Sequence, residues 1–442
     1  MKTTPYLLQL RIQGIKNIKE PIQLDFYQKT VDKNFDPSKY KVKAIFGENG
    51  SGKTAIILSV FILQNILLNK SYLLDKDSQT RLVESINKHT KSSFIECEYV
   101  INTGEEIDIF SYRVDFSIRD DNRVHIDGEL FQTKSNNSRN KYKKVFETKQ
   151  GELIYYGNKD NFTVLQHKTQ NLLEQQSFLT CVINNENYEI FKRDKMLIPL
   201  CLLVVFGSSI MTYLDETDRH FNYYLKQRIE DFCAGETSNE NIKGFFDNNN
   251  HILNSFSDEL YVPKDKYDNF EKRISKKCEF LKIFKPDLQD IKIEKKEYAD
   301  HYRCVLKMVY PLYTIDKEFE SRGIKKLIEL YDCFDAASYG FISFIDELDS
   351  NINDVYLGKL IEYFVYYGEG QLCFTSHNLS PMRTLNEEKS SISFLSNINT
   401  IHTWTRKGNE NPENAYKKGF IEDSPFNVDP SDFLGVLGGS DE

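Results

Sequence analysis

A Gly-rich stretch near the start of this sequence has the residue types and spacing that phosphate binding requires. It follows the apolar run 42–46 and consists of a glycine, four residues and then Gly-Lys-Thr. Successive backbone N–H groups of such a turn can surround a phosphate, the lysine adds a positive charge, and the threonine hydroxyl can bind Mg²⁺. We therefore predict a P-loop, the alternative being a chance Gly-rich turn before a helix. The predicted ligand-binding residues are Gly47, Asn49, Gly50, Ser51, Gly52, Lys53 and Thr54.

Two adjacent acids form a second candidate group. Asp346 and Glu347 directly follow the mostly apolar run 341–345, as expected of a parallel strand that is buried on both faces. Acids at the carboxyl end of such a strand would lie beside the P-loop, where ligands bind in open α/β sheets. We predict that Asp346 holds Mg²⁺ together with Thr54 and that Glu347 is the general base toward a water molecule. The alternative is a strand that ends at a solvated acidic turn.

Two further polar groups could contact a bound phosphate. His377 follows the short apolar run 371–375, which favours a polar contact to a γ-phosphate over an ordinary surface or core histidine. Ser321 and Gly323 precede an amphipathic pattern over 324–330, which predicts a helix with a serine cap. The start of a helix also offers unpaired N–H groups to an anion. The sequence leaves the cap and the anion site equally open.

Strands and a helix must position these groups. The pattern predicts two strands within 6–26, a buried strand over 42–46 and a helix from Thr54 to Asn69. The P-loop would therefore lie at a strand-to-helix corner. Further on, a helical stretch after His377 and a last pair of strands complete the pattern.

The region after the first helix predicts an antiparallel meander. Apolar residues alternate over 93–102, 106–115 and 123–131, with turns between these segments. The basic stretch 134–150 is interpreted as a solvated loop rather than a nucleic-acid patch, because aromatic residues are sparse in it. We expect the meander to pack on the P-loop unit.

The middle of the chain has mainly helical apolar spacing. It predicts a helical insertion over about 215–285 and then strands over 291–296 and 302–309. The uncharged segment Met196–Leu214 is close to the length of a membrane span. Pro199 and a Gly-Ser-Ser group interrupt it, so a buried helix is the preferred interpretation and a membrane span the alternative.

Composition limits the class of protein. The chain has 442 residues, of which 40% are hydrophobic, so two or three domains with real cores are expected. A net charge of -9 argues against a protein that is basic all over. Eight cysteines occur singly, which favours reduced thiols. The first residues lack the apolar region of a signal peptide, and a cytoplasmic location is expected.

The order of these motifs resembles the ABC-type ATPases of the RecF/SMC/OLD group. The resemblance rests on the P-loop, the long insertion, the Ser-x-Gly helix, the strand with Asp-Glu and the strand with Ser-His. It implies an α/β fold, an ABC-type P-loop ATPase head in which a mixed sheet carries an antiparallel β subdomain and a helical insertion. The corresponding division is an ATPase lobe over 1–190, the insertion with return strands over 191–320, and a second ATPase lobe with the tail over 321–442.

The resemblance also implies roles for single residues. Lys53 and Thr54 would bind phosphates and Mg²⁺, Glu347 would be the base and His377 the switch histidine. Asp349 would match the D-loop, and Ser321 and Gly323 the signature that reaches ATP bound on a second protomer. ATP and Mg²⁺ are therefore the expected ligands and a homodimer or higher oligomer the expected assembly. One of four glutamines would be the Q-loop residue, the candidates being Gln166, Gln170, Gln175 and Gln176.

Two biological functions remain open. The chain is similar to stand-alone ATPase subunits of bacterial anti-phage systems, the Septu, PARIS and retron-associated kinds, which implies a separate effector protein such as a nuclease or toxin. The residues after His377 are too few for the Toprim nuclease of OLD enzymes. The alternative is a DNA-repair ATPase similar to RecF or SMC-like repair proteins. Lys-rich stretches at 134–149 and 272–296 could bind phosphates, whereas no long coiled coil is predicted.

Overall fold

The computed structural model describes most of the chain. The described residues are 4–32, 34–102, 107–136, 141–183, 187–191, 194–214, 260–388, 390–405, 411–422 and 424. Within them the chain forms an α/β fold with a mixed six-stranded sheet, an antiparallel seven-stranded sheet and an antiparallel four-stranded sheet. The predicted fold class, a mixed sheet with an antiparallel β subdomain, is confirmed.

Strands and α-helices of the described residues are numbered in chain order. The strands are β1 (Pro5–Gln13), β2 (Ile22–Asp25), β3 (Val42–Phe46), β4 (Ser92–Asn102), β5 (Ile107–Ile118), β6 (Val124–Ser135), β7 (Lys143–Lys149), β8 (Glu152–Tyr156), β9 (Ile210–Tyr213), β10 (Leu260–Pro263), β11 (Asp290–Glu297), β12 (His301–Val309), β13 (Thr314–Asp316), β14 (Ile342–Ile345), β15 (Gln371–Thr375), β16 (Ile392–Leu395) and β17 (Ile401–Thr403). The helices are α1 (Lys53–Leu68), α2 (Lys76–Ser85), α3 (Lys159–Thr169), α4 (Phe178–Val182), α5 (Tyr188–Phe191), α6 (Leu197–Ser208), α7 (Tyr267–Phe284), α8 (Arg322–Ser338), α9 (Asp354–Tyr367), α10 (Pro381–Leu385) and α11 (Pro412–Lys417).

The six-stranded sheet carries the P-loop. Its order is β17-β16-β3-β15-β14-β9, and each neighbouring pair is parallel except β16 with β17. β3, β14 and β15 are buried along their full length, as expected of parallel strands covered on both faces. Because parallel strands end at one edge of a sheet, the residues that follow β3, β15, β14 and β9 all lie at that edge.

Side chains of β3 alternate between two hydrophobic cores. Ile45 packs in the core that contains the antiparallel sheet, α1 and α6. Val42, Ala44 and Phe46 pack in the other core, with helices α7 to α11. The strand is therefore held from both faces, and the loop that follows it begins from a rigid position.

The seven-stranded sheet has the order β2-β1-β4-β5-β6-β7-β8 and is antiparallel throughout. The two strands predicted within 6–26 and the three strands of the predicted meander are confirmed. The prediction of a solvated loop over 134–150 is wrong for its second half, because β7 occupies Lys143–Lys149. Val145 and Phe146 are buried in β7. The sequence did not predict this strand, because its short apolar segment lies between lysines.

The uncharged segment Met196–Leu214 folds as α6 followed by β9. α6 packs on α1 at Gly207, where a Cβ would lie 3.3 Å from Leu67 Cδ1. Phe206 stacks on Tyr99 of the antiparallel sheet, with ring centroids 3.8 Å apart. The preferred buried helix is thus confirmed, with a strand after it. Among the helices of the described ranges, none combines the length and the apolar character that crossing a membrane demands.

The predicted insertion over 215–285 is only partly visible, since 215–259 lie outside the described residues. From residue 260 onward the chain contains a strand, β10, before the helix α7. β10, β11, β12 and β13 form the four-stranded sheet, and the strands predicted over 291–296 and 302–309 are confirmed as β11 and β12. The described part of the insertion is therefore mixed rather than purely helical.

Helix α7 is joined to α8 by a buried group of charges. Arg273 and Lys277 on α7 both contact the carboxylate of Asp332 on α8. β9 pairs with β14 in the six-stranded sheet, although it comes from the segment predicted to begin the insertion. The division at 190 and 320 stays a prediction.

The cysteines in the described residues are buried free thiols. Burial raises the pKa of Cys181 and of Cys201 to about 12, so neither forms a reactive thiolate near neutral pH. The single spacing of cysteines in the sequence predicted reduced thiols, and the described ones agree with it.

Candidate active site

The loop between β3 and α1 is tightly packed against neighbouring segments. Gly50 and Gly52 have φ angles of 82° and 109°, in the left-handed region that favours glycine. A Cβ at Gly47 would lie 2.4 Å from the carbonyl oxygen of Leu395, and one at Gly52 would lie 2.5 Å from Ile18 Cδ1. Backbone conformation and close approach therefore explain why three of these positions are glycine.

Lys53 begins α1, and its ammonium group folds back over the loop. Its Nζ donates to the carbonyl oxygen of Gly47 at 2.8 Å and to that of Glu48 at 2.9 Å. Burial lowers the pKa of Lys53, while nearby carboxylates, Asp346 foremost, act in the opposite direction. A lysine held among carbonyl oxygens at the mouth of the loop can take phosphate oxygens as further partners.

The side chain of Ser51 indicates whether an anion would fit in this loop. Its Oγ is buried and has no hydrogen-bond partner within the described residues, although buried hydroxyl groups are nearly always bonded. The first turn of α1 adds backbone N–H groups that have no partner inside the helix, and Asn49 is exposed at the tip of the loop. An unpaired hydroxyl, helix N–H groups and the ammonium of Lys53 together fit a phosphate, with the hydroxyl of Thr54 next to them.

Asp346 and Glu347 follow β14 at the same sheet edge, but their side chains have different surroundings. Asp346 is only 8% exposed, and its Oδ1 accepts a hydrogen bond of 2.5 Å from the Oγ1 of Thr375. The side chain of Glu347 is 53% exposed. A buried carboxylate suits a metal ligand and an accessible one suits a base, which are the roles that the sequence predicts for them.

The backbone of Glu347 is in the left-handed region, with a φ of 47°, which is uncommon for a residue with a side chain. Its N–H donates to Thr375 Oγ1 at 2.7 Å, and its carbonyl oxygen accepts from Lys326 Nζ. Its Oε1 lies 3.6 Å from the Nε2 of His377. The structure therefore brings the predicted base and the predicted switch histidine together.

Asp349 has partners within the chain. Its two carboxylate oxygens accept from the N–H of His377 at 3.3 Å and from the N–H of Asn378 at 3.0 Å. These bonds tie the turn after β14 to the turn after β15. A contact of Asp349 with a nucleotide stays a prediction.

Ser321 and Gly323 lie at the exposed start of α8 and also have roles in the fold. Ser321 is the N-cap residue, and its Oγ accepts from the N–H of Ile324 at 3.4 Å. A Cβ at Gly323 would lie 2.6 Å from the carbonyl oxygen of Asn351, so glycine permits α8 to approach the turn after β14. The predicted cap is confirmed, and an anion contact at the same helix start stays a prediction.

A cavity of about 570 Å³ opens beside the P-loop. Thr54, Asp346 and Glu347 line it together, although they come from two distant parts of the sequence. Tyr213 at the end of β9 and Arg322 at the start of α8 form other parts of its wall. The space is large enough for a small-molecule ligand.

Several residues of this site were missed in the sequence. Thr375, Lys326 and Tyr213 contact or border the acids, but none belongs to a motif of its own. The sequence contained one signal for Thr375, because this residue is the last one of the apolar strand that precedes His377. The sequence contained no signal for Lys326 or Tyr213, because their contacts with the acids depend on how α8 and β9 pack.

The glutamines proposed for the Q-loop lie elsewhere. Gln166 is on α3, where its Nε2 donates to the carbonyl oxygen of Leu153 on β8 at 3.3 Å. Gln176 is buried near Cys181. None of the four candidates borders the cavity within the described part of the chain. The strand that ends at the cavity beside β14 is β9, and the choice of a Q-loop glutamine stays open.

Solved structures that are similar over most of the chain include the following two proteins. One is an SMC head domain from Thermotoga maritima, with 13% identity, a TM-score of 0.34, and coverage of 91% of this chain and 100% of that one. The other is the recombination mediator protein RecF-ATPrS in the RecFOR pathway, with 11% identity, a TM-score of 0.37, and coverage of 91% and 99%. No protein-family model and no curated protein matches the sequence. The geometry of the site therefore carries the functional conclusion.

Proposed function

We propose that this chain binds ATP with Mg²⁺ and hydrolyses it. One observation carries the proposal: Thr54, the last residue of the P-loop and the neighbour of the buried Lys53, lines one cavity together with Asp346 and Glu347, which follow β14. A phosphate-binding loop, a metal-binding hydroxyl and two acids of different exposure are the parts that phosphoryl transfer to water uses.

Each residue has a defined task in this proposal. The glycines of the loop allow its backbone N–H groups to approach phosphate oxygens, and Lys53 balances their charge. Mg²⁺ bound by Thr54 and Asp346 would neutralise charge on the phosphate oxygens. Glu347 accepts a proton from the attacking water, because its carboxylate is accessible, and His377 supplies a polar contact next to it.

We further propose that the chain is an ABC-type ATPase that dimerises around ATP. The support is the start of α8, where Ser321 and Arg322 are exposed and the first N–H groups of the helix have no partner inside it. In a dimer Ser321, Gly323 and Asp349 would contact the nucleotide of the second protomer. Their bonds within the chain are compatible with this role, since a capping hydroxyl can accept and donate at the same time.

ATP-controlled assembly would regulate a separate effector, a nuclease or toxin, in anti-phage defence within the cytoplasm. This part of the proposal rests on the motif resemblance. It predicts that the effector stays with the ATPase during purification of the natural pair and that the Glu347→Gln chain changes how tightly the pair associates.

A DNA-repair ATPase that binds DNA directly is the second candidate. It is favoured by exposed lysines at the four-stranded sheet, where Lys295 Nζ lies 4.8 Å from the ring centroid of the half-buried Tyr302 and Lys296 Nζ lies 5.8 Å from that of the exposed Tyr298. Lysines beside aromatic rings are typical of surfaces that bind single strands. DNA binding that weakens steeply with salt would support this function.

Phosphate release tests the primary proposal. The full chain should release inorganic phosphate from ATP in the presence of Mg²⁺, and chelation of Mg²⁺ with EDTA should stop the release. The same preparation should be titrated with single-stranded and double-stranded DNA at two salt concentrations. Absence of ATP turnover at saturating nucleotide, with and without DNA, would refute hydrolysis as the function.

A further inference from the structure

The left-handed backbone of Glu347 needs specific support. Such a conformation is disfavoured for a residue with a Cβ and persists only where the surroundings hold it. β14 ends at Ile345, so Glu347 lies beyond the regular strand and depends on bonds from neighbouring segments. The bonds to its N–H and its carbonyl oxygen therefore decide where its carboxylate points.

Thr375 bonds the backbone N–H group of Glu347. Its side chain is fully buried, and one hydroxyl accepts from the N–H of Glu347 at 2.7 Å while it donates to Asp346 Oδ1 at 2.5 Å. A hydroxyl can do both at once. The backbone carbonyl of Thr375 also accepts from the N–H of Leu348 at 3.0 Å. Thr375 thus fixes both acids relative to β15, the strand that leads to His377.

Lys326 bonds the backbone carbonyl oxygen of Glu347. It comes from the second turn of α8, its side chain is 6% exposed, and its Nζ donates to the carbonyl oxygen of Glu347 and to Ser350 Oγ. A buried ammonium retains its charge only where oxygen acceptors surround it, and these oxygens provide such partners. The helix α8, which Ser321 caps, is thereby connected directly to the peptide of the predicted base.

We propose that Thr375 and Lys326 are positioning residues that hold the peptide of Glu347 at its two ends and so aim its carboxylate at the attacking water. Neither residue touches the reacting atoms in this scheme. The inference rests on the proposed ATP hydrolysis. Thr375 has a second effect, since it also bonds Asp346, whereas the hydrogen bonds of Lys326 Nζ described above go to the Glu347 turn and its ammonium also lies 5.9 Å from the ring centroid of Tyr213.

The first test compares Thr375→Val with Thr375→Ser. Valine has the shape of threonine but leaves the N–H of Glu347 and the carboxylate of Asp346 without this partner. We expect kcat for ATP to fall about 10-fold to 100-fold in Thr375→Val, with KM within about threefold of the wild type, because losing a partner of a functional group has effects of this size. Thr375→Ser keeps the hydroxyl and should restore kcat to within about threefold.

The second test distinguishes the roles of the two positioning residues by the Mg²⁺ concentration that each variant needs for half-maximal turnover. Thr375→Val should need about 5-fold to 10-fold more Mg²⁺ for half-maximal turnover, because its hydroxyl orients the predicted metal ligand. Lys326→Met should lower kcat about 10-fold without moving the Mg²⁺ requirement. Thr169→Val is the matched control, since Thr169 is an equally buried threonine on α3 whose Oγ1 bonds the Leu165 carbonyl oxygen, and it should leave both values unchanged.

Defined results would overturn the inference. Wild-type kcat in Thr375→Val, or equal losses in Thr375→Ser and Thr375→Val, would show that the hydroxyl does not position Glu347. If Thr375→Val does not fold, Lys326→Met decides, and an unchanged kcat there overturns the inference. A wild-type chain that does not hydrolyse ATP would instead refute the proposed function, and the positioning role with it.

Discussion

The Nε2 of His377 lies 3.6 Å from the Oε1 of Glu347, although the two residues follow different strands. β14 and β15 are parallel neighbours, so the residues after each strand emerge side by side at one sheet edge. Both side chains are roughly half exposed, His377 at 41% and Glu347 at 53%. A water molecule and a phosphate can therefore reach this pair, which makes it the place where substitutions should separate binding from chemistry.

Glu347→Gln should keep ATP binding and slow its hydrolysis. The amide has the shape of the carboxylate but cannot accept a proton, and general base catalysis contributes about 10²-fold to 10⁴-fold. Single-turnover phosphate release and a nucleotide titration measure the two properties. Glu362→Gln is the control, since Glu362 is a surface acid on α9 paired with Lys359. Wild-type turnover in Glu347→Gln would refute the base.

Lys53→Ala should abolish or greatly weaken nucleotide binding. The change removes the ammonium group at the mouth of the P-loop, and a loss of at least about 10-fold in affinity is expected from one charged hydrogen bond. Isothermal titration with ATP and Mg²⁺ measures it. Lys277→Ala is a matched control, because Lys277 is a similarly buried lysine that contacts Asp332 on α8. Equal affinities for the wild type and Lys53→Ala would contradict the role.

Ser321→Ala should impair the ATP-dependent dimer and leave ATP binding by the monomer intact. The experiment is done in the Glu347→Gln chain, where ATP persists, and mass is measured by light scattering with and without ATP. Loss of a serine cap costs about 1 kcal/mol of helix stability in itself. Ser177→Ala controls for that loss, since Ser177 caps α4 with a bond to the N–H of Thr180 at 3.2 Å. Equal dimerisation of both variants would refute the contact across the dimer.

Stability should fall as the pH rises through the range in which Glu129 titrates. Burial raises the pKa of Glu129 from 4.5 to about 7, against the opposing bonds from the hydroxyl of Tyr112 and the N–H of Phe178. Between pH 4.5 and 7 the unfolded chain has lost this proton and the folded chain retains it. The free energy of unfolding therefore decreases as pH rises through that window, by on the order of 3 kcal/mol in total.

Denaturant unfolding at several pH values measures this decrease. Glu129→Gln carries no titrating proton, so its free energy of unfolding should vary less between pH 4.5 and 7 than that of the wild type. Glu362→Gln should keep the slope of the wild type. Equal slopes for the wild type and Glu129→Gln would show that another group causes the dependence.

The sequence by itself determined the local parts of this protein. The P-loop, the buried strands β3, β14 and β15, and the acids and histidine after them all follow from short runs of residues, because burial on both faces and sharp turns each demand particular residue types nearby. The parallel sheet then follows from the apolar character of the strands. The alternation over 93–131 was sufficient for the antiparallel meander, since one face of such a sheet repeats every second residue.

Only the tertiary structure decided which distant residues meet. The pairing of Thr375 with Asp346 and Glu347 depends on the register between β14 and β15, and the contact of Lys326 depends on how α8 lies across that edge. Register and helix packing are set by many weak contacts summed over the whole core, so no single segment encodes them. For the same reason the sequence did not predict that β9 joins the P-loop sheet, or that none of the four candidate glutamines borders the cavity within the described residues.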